Sequence, residues 1–319
     1  MEIVPGIHRI ESVLGPRPFS QYLLREERSL LVDTGIVSTP DEVILPFFAR
    51  VGLDPADLNV VLTSHADVDH FGGNAAIRAA SPRAIFCAHE QDAGWIEDRE
   101  RILHERYGWY AAHGPGADYD PATKEWLRDA MGADVPVDLR LQGGEVFRLG
   151  PNLAVEVLHL PGHSHGHIGL WEPSTRTAIV IDAVLGKGLY DVAGKVIHPP
   201  PYFHAAAYEE TIGKLQALQP RLLLTAHYAP MEGADVDRFL RDSADFVGRA
   251  RAAVEERVLA AGELTLAGLL KDLDPELGPF TSMPNELGGP IWAHLRELVG
   301  RGVAVEVEGA DPPVWQKVS

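Results

Sequence analysis

Apolar residues recur along this chain in two periods. Short continuous runs bounded by Gly, Pro or charged turns read as buried strands: "QYLLRE", "SLLVDTG", "NVVLTSH", "RAIFCAH", "EVFRLG", "LAVEVLHLPG", "IGLWEPS", "TAIVIDAVLG" and "RLLLTAHYAP". The first two are split by the polar turn Glu26-Glu27-Arg28 and predict a hairpin. Helical spacing appears between the runs. "STPDEVILPFFARVG" has a Ser/Thr start and a Gly end and predicts a capped helix. "GGNAAIRAAS", "EQDAGWIEDRERI" and "AYEETIGKLQAL" follow the same pattern. Strands alternating with helices predict α/β layers.

Two regions depart from this alternation. Residues 99–142 hold "ERILHERYGWYAAHG" and "PATKEWLRDAMG", helical stretches joined by a Gly/Pro/Asp loop and rich in Tyr107, Trp109, Tyr110 and Trp126. Two readings stand side by side: a lid over a pocket, or a helical excursion with its own small core. From about 235 a long helix, "DVDRFLRDSADFVGRARAAVEERVLAAG", leads into "TLAGLLKDL", "GPIWAHLRELVGRG" and a two-strand turn, "VAVEVEGADPPVWQKV". Helices followed by a hairpin suggest a small winged-helix-like unit over 236–319. It carries eight Lys/Arg against thirteen Asp/Glu from 239 onward. Packing or homodimerisation is therefore expected of it rather than DNA reading.

Composition narrows the function. The net charge of −18 repels phosphate backbones, and no Lys/Arg cluster offsets it, so no nucleic-acid partner is expected. No run approaches eighteen apolar residues, and the start lacks a basic region followed by an apolar one, so neither a membrane span nor a signal peptide is expected. The one cysteine, Cys87, follows an apolar run and reads as a small buried side chain in a cytoplasmic protein.

Chemistry concentrates at strand ends. "VLTSHADVDHFGG" sets His65, Asp67, Asp69 and His70 behind a strand and ahead of a Gly pair that lets the chain turn into a helix. Alone, this cluster could be a solvated acidic turn. Three further strand ends alter that reading. "LPGHSHGH" supplies His163, "AIVIDAVLG" ends on Asp182, where an unpartnered carboxylate would be costly, and "LLLTAHYAP" ends on His227. If these ends converge, four His and three Asp meet. Such mixed nitrogen and oxygen donors suit zinc, iron or manganese.

With "LLVDTG", "SHADVDHFGG", "PGHSHGH", "VIDAVLG" and "LLTAHY" in this order over residues 1–235, the chain resembles the metallo-β-lactamase-fold hydrolases. The resemblance implies an αββα sandwich with a metal site at one edge, followed by the winged-helix-like extension that some members carry. Carried over by position, His65, Asp67 and His163 would bind one divalent metal. Asp69, His70 and His227 would bind a second, with Asp182 bridging and Asp33 orienting a ligand. Asp33 alone reads equally as a turn-former before Thr-Gly. His165 and His167 lie beyond the family's single ligand in that segment and read as supporting residues. The stretch after Asp182 often lines the substrate pocket in the family. That makes Tyr190, His198, Tyr202 and His204 pocket candidates, each equally consistent with loop packing.

The chain departs from the family's H-x-H-x-D-H at Asp67. Four neutral His, three Asp, two divalent ions and one hydroxide sum to zero, one unit below the usual pattern. Lower positive charge implies weaker activation of water, and oxygen in place of nitrogen tilts preference toward harder metals. The resemblance implies a hydrolase acting on a small-molecule ester, lactone or thioester, with Asp69 or water returning a proton to the leaving group. Zinc is favoured, with iron or manganese as alternatives. A di-iron or mononuclear iron oxidoreductase is the second reading, since flavodiiron proteins of this fold also place a carboxylate here; no flavodoxin-like segment accompanies it. A phosphodiesterase is disfavoured by charge, and a metal-binding protein without turnover is the last alternative. No G-x-S-x-G elbow offers a competing nucleophile.

Overall fold

The computed structural model describes residues 1–260 and 262–318; positions 261, inside the stretch read as the long helix, and 319 lie outside the described residues. Two sheets face each other. The first runs in chain order through Glu2–Val4, Ile7–Leu14, Arg17–Arg25, Ser29–Val32, Val60–Leu62, Ile85–His89 and Leu139–Leu141. Its N-terminal strands are antiparallel, with Arg25 opposite Ser29 across the expected hairpin, and its last three pairings are parallel. The second sheet orders Met231–Glu232, Leu222–Thr225, Thr177–Ile181, Ile168–Glu172, Ala154–His159 and Val146–Arg148.

The apolar runs are explained by burial on both faces. Leu30, Val32 and Leu62 point into the core between the sheets, while Leu31 and Val61 point out under Phe47, Phe48 and Ile77. Across the sandwich, Ile179, Ile181, Leu222 and Leu224 face inward. Ala178, Val180 and Leu223 face outward onto Tyr208, Ile212 and Leu215 of the helix Ala205–Leu218. Alternation at period two thus sorts one continuous run into two cores. The αββα architecture follows. Cys87 is buried between the sheets.

Some elements differ from their sequence reading. The helix expected from Ser38 begins as a wide turn, Pro40–Ile44, and continues as Leu45–Arg50; Thr39 spends its hydroxyl accepting from the Ile36 N–H rather than capping. "EQDAGWIEDRERI" breaks into Glu90–Ile96 and Arg99–Ile102, because the Asp98 carboxylate caps a new start at the Arg101 N–H. The expected insertion ends before 142, since Leu139–Leu141 is the last strand of the first sheet. The long helix spans Ala234–Ala260 and packs with Leu266–Leu277 and Gly288–Gly300 against the outer face of the second sheet, in one continuous core. The strands Ala304–Glu306 and Val314–Lys317 pair as expected, and Glu263–Thr265 joins them in a three-stranded sheet. No described helix is long and apolar enough to cross a membrane.

Candidate metal centre

Four strand ends meet at one edge of the sandwich. Ser29–Val32 delivers Asp33, Val60–Leu62 delivers the 64–70 loop, Thr177–Ile181 delivers Asp182, and Leu222–Thr225 delivers His227. Two of these ends are strained. Asp33 has φ 62° and Ile181, a β-branched residue, φ 52°. Such backbones cost of order 1–3 kcal/mol each and persist where the surroundings over-determine them. The Gly pair serves close approach rather than turning. Gly72 and Gly73 have ordinary helical backbones, but a Cβ would come within 2.4 Å of the Ala130 carbonyl and 2.3 Å of the Thr34 carbonyl respectively.

The side chains at these ends converge. His65, Asp67 and His163 offer ligand atoms within 4.8 Å of one another, as do Asp69, His70 and His227; His65, His70 and Asp182 join the two groups. Asp182 Oδ2 lies 3.3 Å from His70 Nε2 and 3.2 Å from His227 Nε2. Asp67 Oδ2 lies 3.0 Å from His163 Nε2.

Each imidazole is fixed through its other nitrogen. His163 Nδ1–H donates to the Pro201 carbonyl at 2.7 Å and His227 Nδ1–H to the Pro18 carbonyl at 3.0 Å. His70 Nδ1–H donates to Asp33 Oδ2 at 2.8 Å, and His65 Nδ1–H donates to Ser64 Oγ at 2.9 Å. Ser64 Oγ–H in turn donates to Asp33 Oδ2 at 2.9 Å, so one carboxylate orients two imidazoles. All four therefore aim an Nε2 lone pair at the centre. His65 Nε2, His70 Nε2, His163 Nε2 and Asp182 Oδ1 are buried with no hydrogen-bond partner. With all four rings neutral, buried acceptors facing one another without donors repel. Divalent cations fit this donor set: they satisfy the lone pairs and neutralise the carboxylates together.

Electrostatics point the same way. Burial pushes the Asp182 carboxyl up, but His227 and His70 outweigh it and hold it well below the usual range. Burial likewise opposes, and Arg106 and His163 overcome it, at Asp67. Burial lowers His70, yet Asp69, Asp33 and Asp182 raise it well above an ordinary imidazole. Burial also lowers His163, and Asp67 overcomes it and raises that imidazole. Without cations, protons on His70 and His163 offset the carboxylates. Metal binding must expel these protons. Because both pKa values are raised, competition extends above the usual imidazole range and fades as pH rises. Apparent affinity should therefore increase with pH through neutrality and into the alkaline range, with proton release on loading. Chelator competition across pH 6–9 (roughly the span of a shifted imidazole) checks this; a flat profile would contradict it.

The other sequence candidates fall differently. His198 lines a small cavity of about 40 Å³ beside Asp67, Asp69, Asp182 and His227. Its Nε2 lies 3.3 Å from the buried Glu286 carboxylate, which also accepts from Tyr119 O–H at 2.7 Å. Tyr202 does not face this cavity: it is buried, stacked on Tyr208, with its hydroxyl 2.8 Å from His294 Nε2. Tyr190 packs edge-on against Tyr228 outside it. His204 pairs with His165 at 2.8 Å in a separate aromatic pocket with Trp95, Trp109 and Trp292. His167 is buried, stacked on His65, and neither ring nitrogen has a partner.

Several residues at the site escaped the sequence reading, which named Tyr107 only as part of a lid or a helical excursion. Asp92 accepts from the Ala66 N–H, Ser164 O–H and Gly166 N–H, tying the 64–70 loop to the 163–167 loop. Arg17 Nη2 lies 4.0 Å from Asp69 Oδ2. Arg106 and Tyr107 reach Asp67 from the helical insertion, and Met283 and Glu286 reach the cavity from the C-terminal segment. No local pattern marks them, since each acts across a long stretch of chain.

The sequence and fold resemble those of known proteins. Residues 14–227 match the family model of the metallo-beta-lactamase superfamily. The chain is 28% identical over 251 residues to an acyl-coenzyme A thioesterase, MBLAC2, of Gallus gallus, covering 76% of this chain and 74% of that protein. It is 24% identical over 240 residues to the probable metallo-hydrolase YflN of Bacillus subtilis (strain 168), covering 73% and 87%. Among solved structures, the metallo-beta-lactamase family protein TTHA1429 from Thermus thermophilus superposes with a TM-score of 0.75 at 20% identity, covering 99% of this chain and 100% of that one. A beta-lactamase domain protein from Burkholderia ambifaria gives 0.75 at 22% identity, covering 100% and 94%. The match over two thirds of the sequence, on the segment that holds every strand end described above, places this chain in the metallo-beta-lactamase superfamily of metal-dependent hydrolases.

Proposed function

We propose that the chain is a dinuclear metal-dependent hydrolase of a small carboxylic thioester, ester or lactone. The observation that carries this reading is that the partnerless His65, His70 and His163 Nε2 atoms and Asp182 Oδ1 gather with Asp67, Asp69 and His227 in adjoining groups of ligand atoms. His65, Asp67 and His163 would hold one divalent ion; Asp69, His70 and His227 would hold the other, with Asp182 between them. When bound, such a pair supplies a hydroxide nucleophile near neutral pH and polarises the scissile carbonyl.

The chain's own residues do the rest. Asp33, Ser64, Pro18 and Pro201 lock the imidazoles so that little reorganisation accompanies the reaction. Asp69 accepts a proton and returns it to the leaving group. Burial would raise its carboxyl, but His70, Arg17 and His227 keep it below the usual range and hence ionised at neutral pH. Leu185, Leu189 and Met283 dry the cavity, and the insertion (Tyr107, Trp126) roofs it with the C-terminal segment.

The thioester heads the substrate classes because the most extensive likeness among the named relatives is to an acyl-coenzyme A thioesterase. Assay against acyl-thioester, aryl-ester, lactone and bis-phosphodiester substrates tests this. Turnover of a carboxyl derivative, abolished by chelation and restored by metal, is expected; turnover of the phosphodiester alone would contradict it. The carboxylate at 67 favours iron over an all-imidazole set, so metal analysis after growth without supplement belongs beside the assay. Two irons and no carboxyl-ester turnover would favour the oxidoreductase reading.

A further inference from the structure

We infer that Arg106 is the counter-charge that allows an aspartate to stand at position 67. The inference rests on the metal-centre reading and concerns a residue that the family pattern does not supply. Arg106 comes from the helical insertion, is only 6% exposed, and lies with Nη2 3.2 Å from Asp67 Oδ1 and 3.4 Å from Oδ2. Its guanidinium sits 4.6 Å from the Phe203 ring centre and 5.5 Å from that of Tyr107. Tyr107 completes the cradle. Its hydroxyl accepts from the Val68 N–H at 2.9 Å, which leaves its own proton directed at Asp67 Oδ1, 3.5 Å away. Arg106 thus spans both oxygens of Asp67, Tyr107 approaches Oδ1, and Oδ2 also faces His163 Nε2 at 3.0 Å and His65 Nε2 at 3.7 Å.

The charge arithmetic follows. With neutral imidazoles the ligand set carries three negative charges, one more than a histidine at 67 would leave. A permanently charged guanidinium in direct contact removes that excess. The site's net charge is returned to that of the H-x-H-x-D-H pattern, while an oxygen donor replaces a nitrogen. The insertion is therefore more than a roof: it supplies the cation that its neighbouring loop needs. A buried guanidinium and a buried carboxylate each destabilise the fold alone and tolerate each other together.

The test is a cycle of Arg106→Met with Asp67→His, and with Asp67→Asn as a second background should the histidine variant fail to fold. Thermal melting of the metal-free protein is read first. In the parent, Arg106→Met lowers Tm by about 5 °C or more, because a largely buried carboxylate loses its permanent cation and keeps only His163 as a partner. In either neutral-67 background the same substitution raises Tm, because it removes an unpaired cation. Zinc affinity by chelator competition is read second. Arg106→Met in the parent tightens zinc binding by about 10³-fold or more, the effect of one unit charge on a divalent ion a few ångströms away at an effective dielectric near 20. A packing role would lower Tm in every background; that result, or weaker zinc binding in the Arg106→Met parent, overturns the inference. Because the melting cycle uses metal-free protein, it reads the pairing even if the parent takes up no zinc, an outcome that would defeat the metal-centre reading instead.

Discussion

Replacing Asp182 by Ala should leave a folded protein that holds at most one metal per chain and has lost about 10³-fold or more of its hydrolytic rate. The carboxylate stands where the two ligand groups adjoin, 3.3 Å from His70 Nε2 and 3.2 Å from His227 Nε2, with its other oxygen buried and unpartnered. It carries negative charge to a place that four imidazoles cannot supply. Removing it would take away the ligand that two ions would share and would leave them to repel across the gap. Several kcal/mol of transition-state stabilisation from charge and orientation depend on that pair, which is the origin of the rate estimate. The fold should survive, because the carboxylate lies at the edge of the sandwich, at a strand end, and its loss does not open the core. Metal content by mass spectrometry and initial rates check it. Two tightly held metals in the variant would remove Asp182 from the bridging role.

The second large effect is expected at Asp33. Its carboxylate accepts from Ser64 N–H at 2.7 Å, Ser64 O–H at 2.9 Å and His70 Nδ1–H at 2.8 Å. Through them it orients both His65 and His70. Asp33→Ala should lower metal affinity about 10- to 100-fold, as loss of a residue that aims ligands does elsewhere. It should also cost about 3 kcal/mol of stability, since three buried donors lose a charged acceptor. Asp33→Gly separates the causes. Its backbone accepts the positive φ of 62° without strain, so it should recover about 1 kcal/mol of stability relative to Ala. Its metal affinity should remain as poor, because the carboxylate is still missing. Chelator competition and denaturant unfolding of the three proteins check this; affinity restored by Gly would show that backbone shape, not the carboxylate, governs the site.

What could be read from the chain, and what could not, has a physical basis. The centres of runs such as "SLLVD" and "RLLLTAH", Leu30–Val32 and Leu222–Leu224, are apolar at every position because both faces are buried, so existence and type of strand are plain from composition alone. The candidate ligands are legible because strand ends carry them, and polar groups ending apolar strands need a reason to be there. The helix break at Asp98 was hidden because a capping carboxylate looks like any surface acid until its Arg101 partner is seen. Gly72 and Gly73 signal need for space as readily as for a turn, and only the carbonyls of Ala130 and Thr34 decide between them. Tyr202 sits amid loop residues in sequence, yet its ring is stacked in the core and its hydroxyl satisfied by His294. Arg106, Asp92 and Glu286 act on the site from 39, 26 and 167 positions away from their hydrogen-bonding partners Asp67, Ala66 and Tyr119, and such pairings leave no local trace.

The most direct measurement is anomalous diffraction at the zinc, iron and manganese edges from crystals grown with metal. The account predicts two peaks, each about 2 Å from its donors: one among His65, Asp67 and His163, the other among Asp69, His70 and His227, with Asp182 touching both. Metal-replete crystals with no peak between these side chains, or with the imidazole Nε2 atoms turned toward other partners, would contradict it.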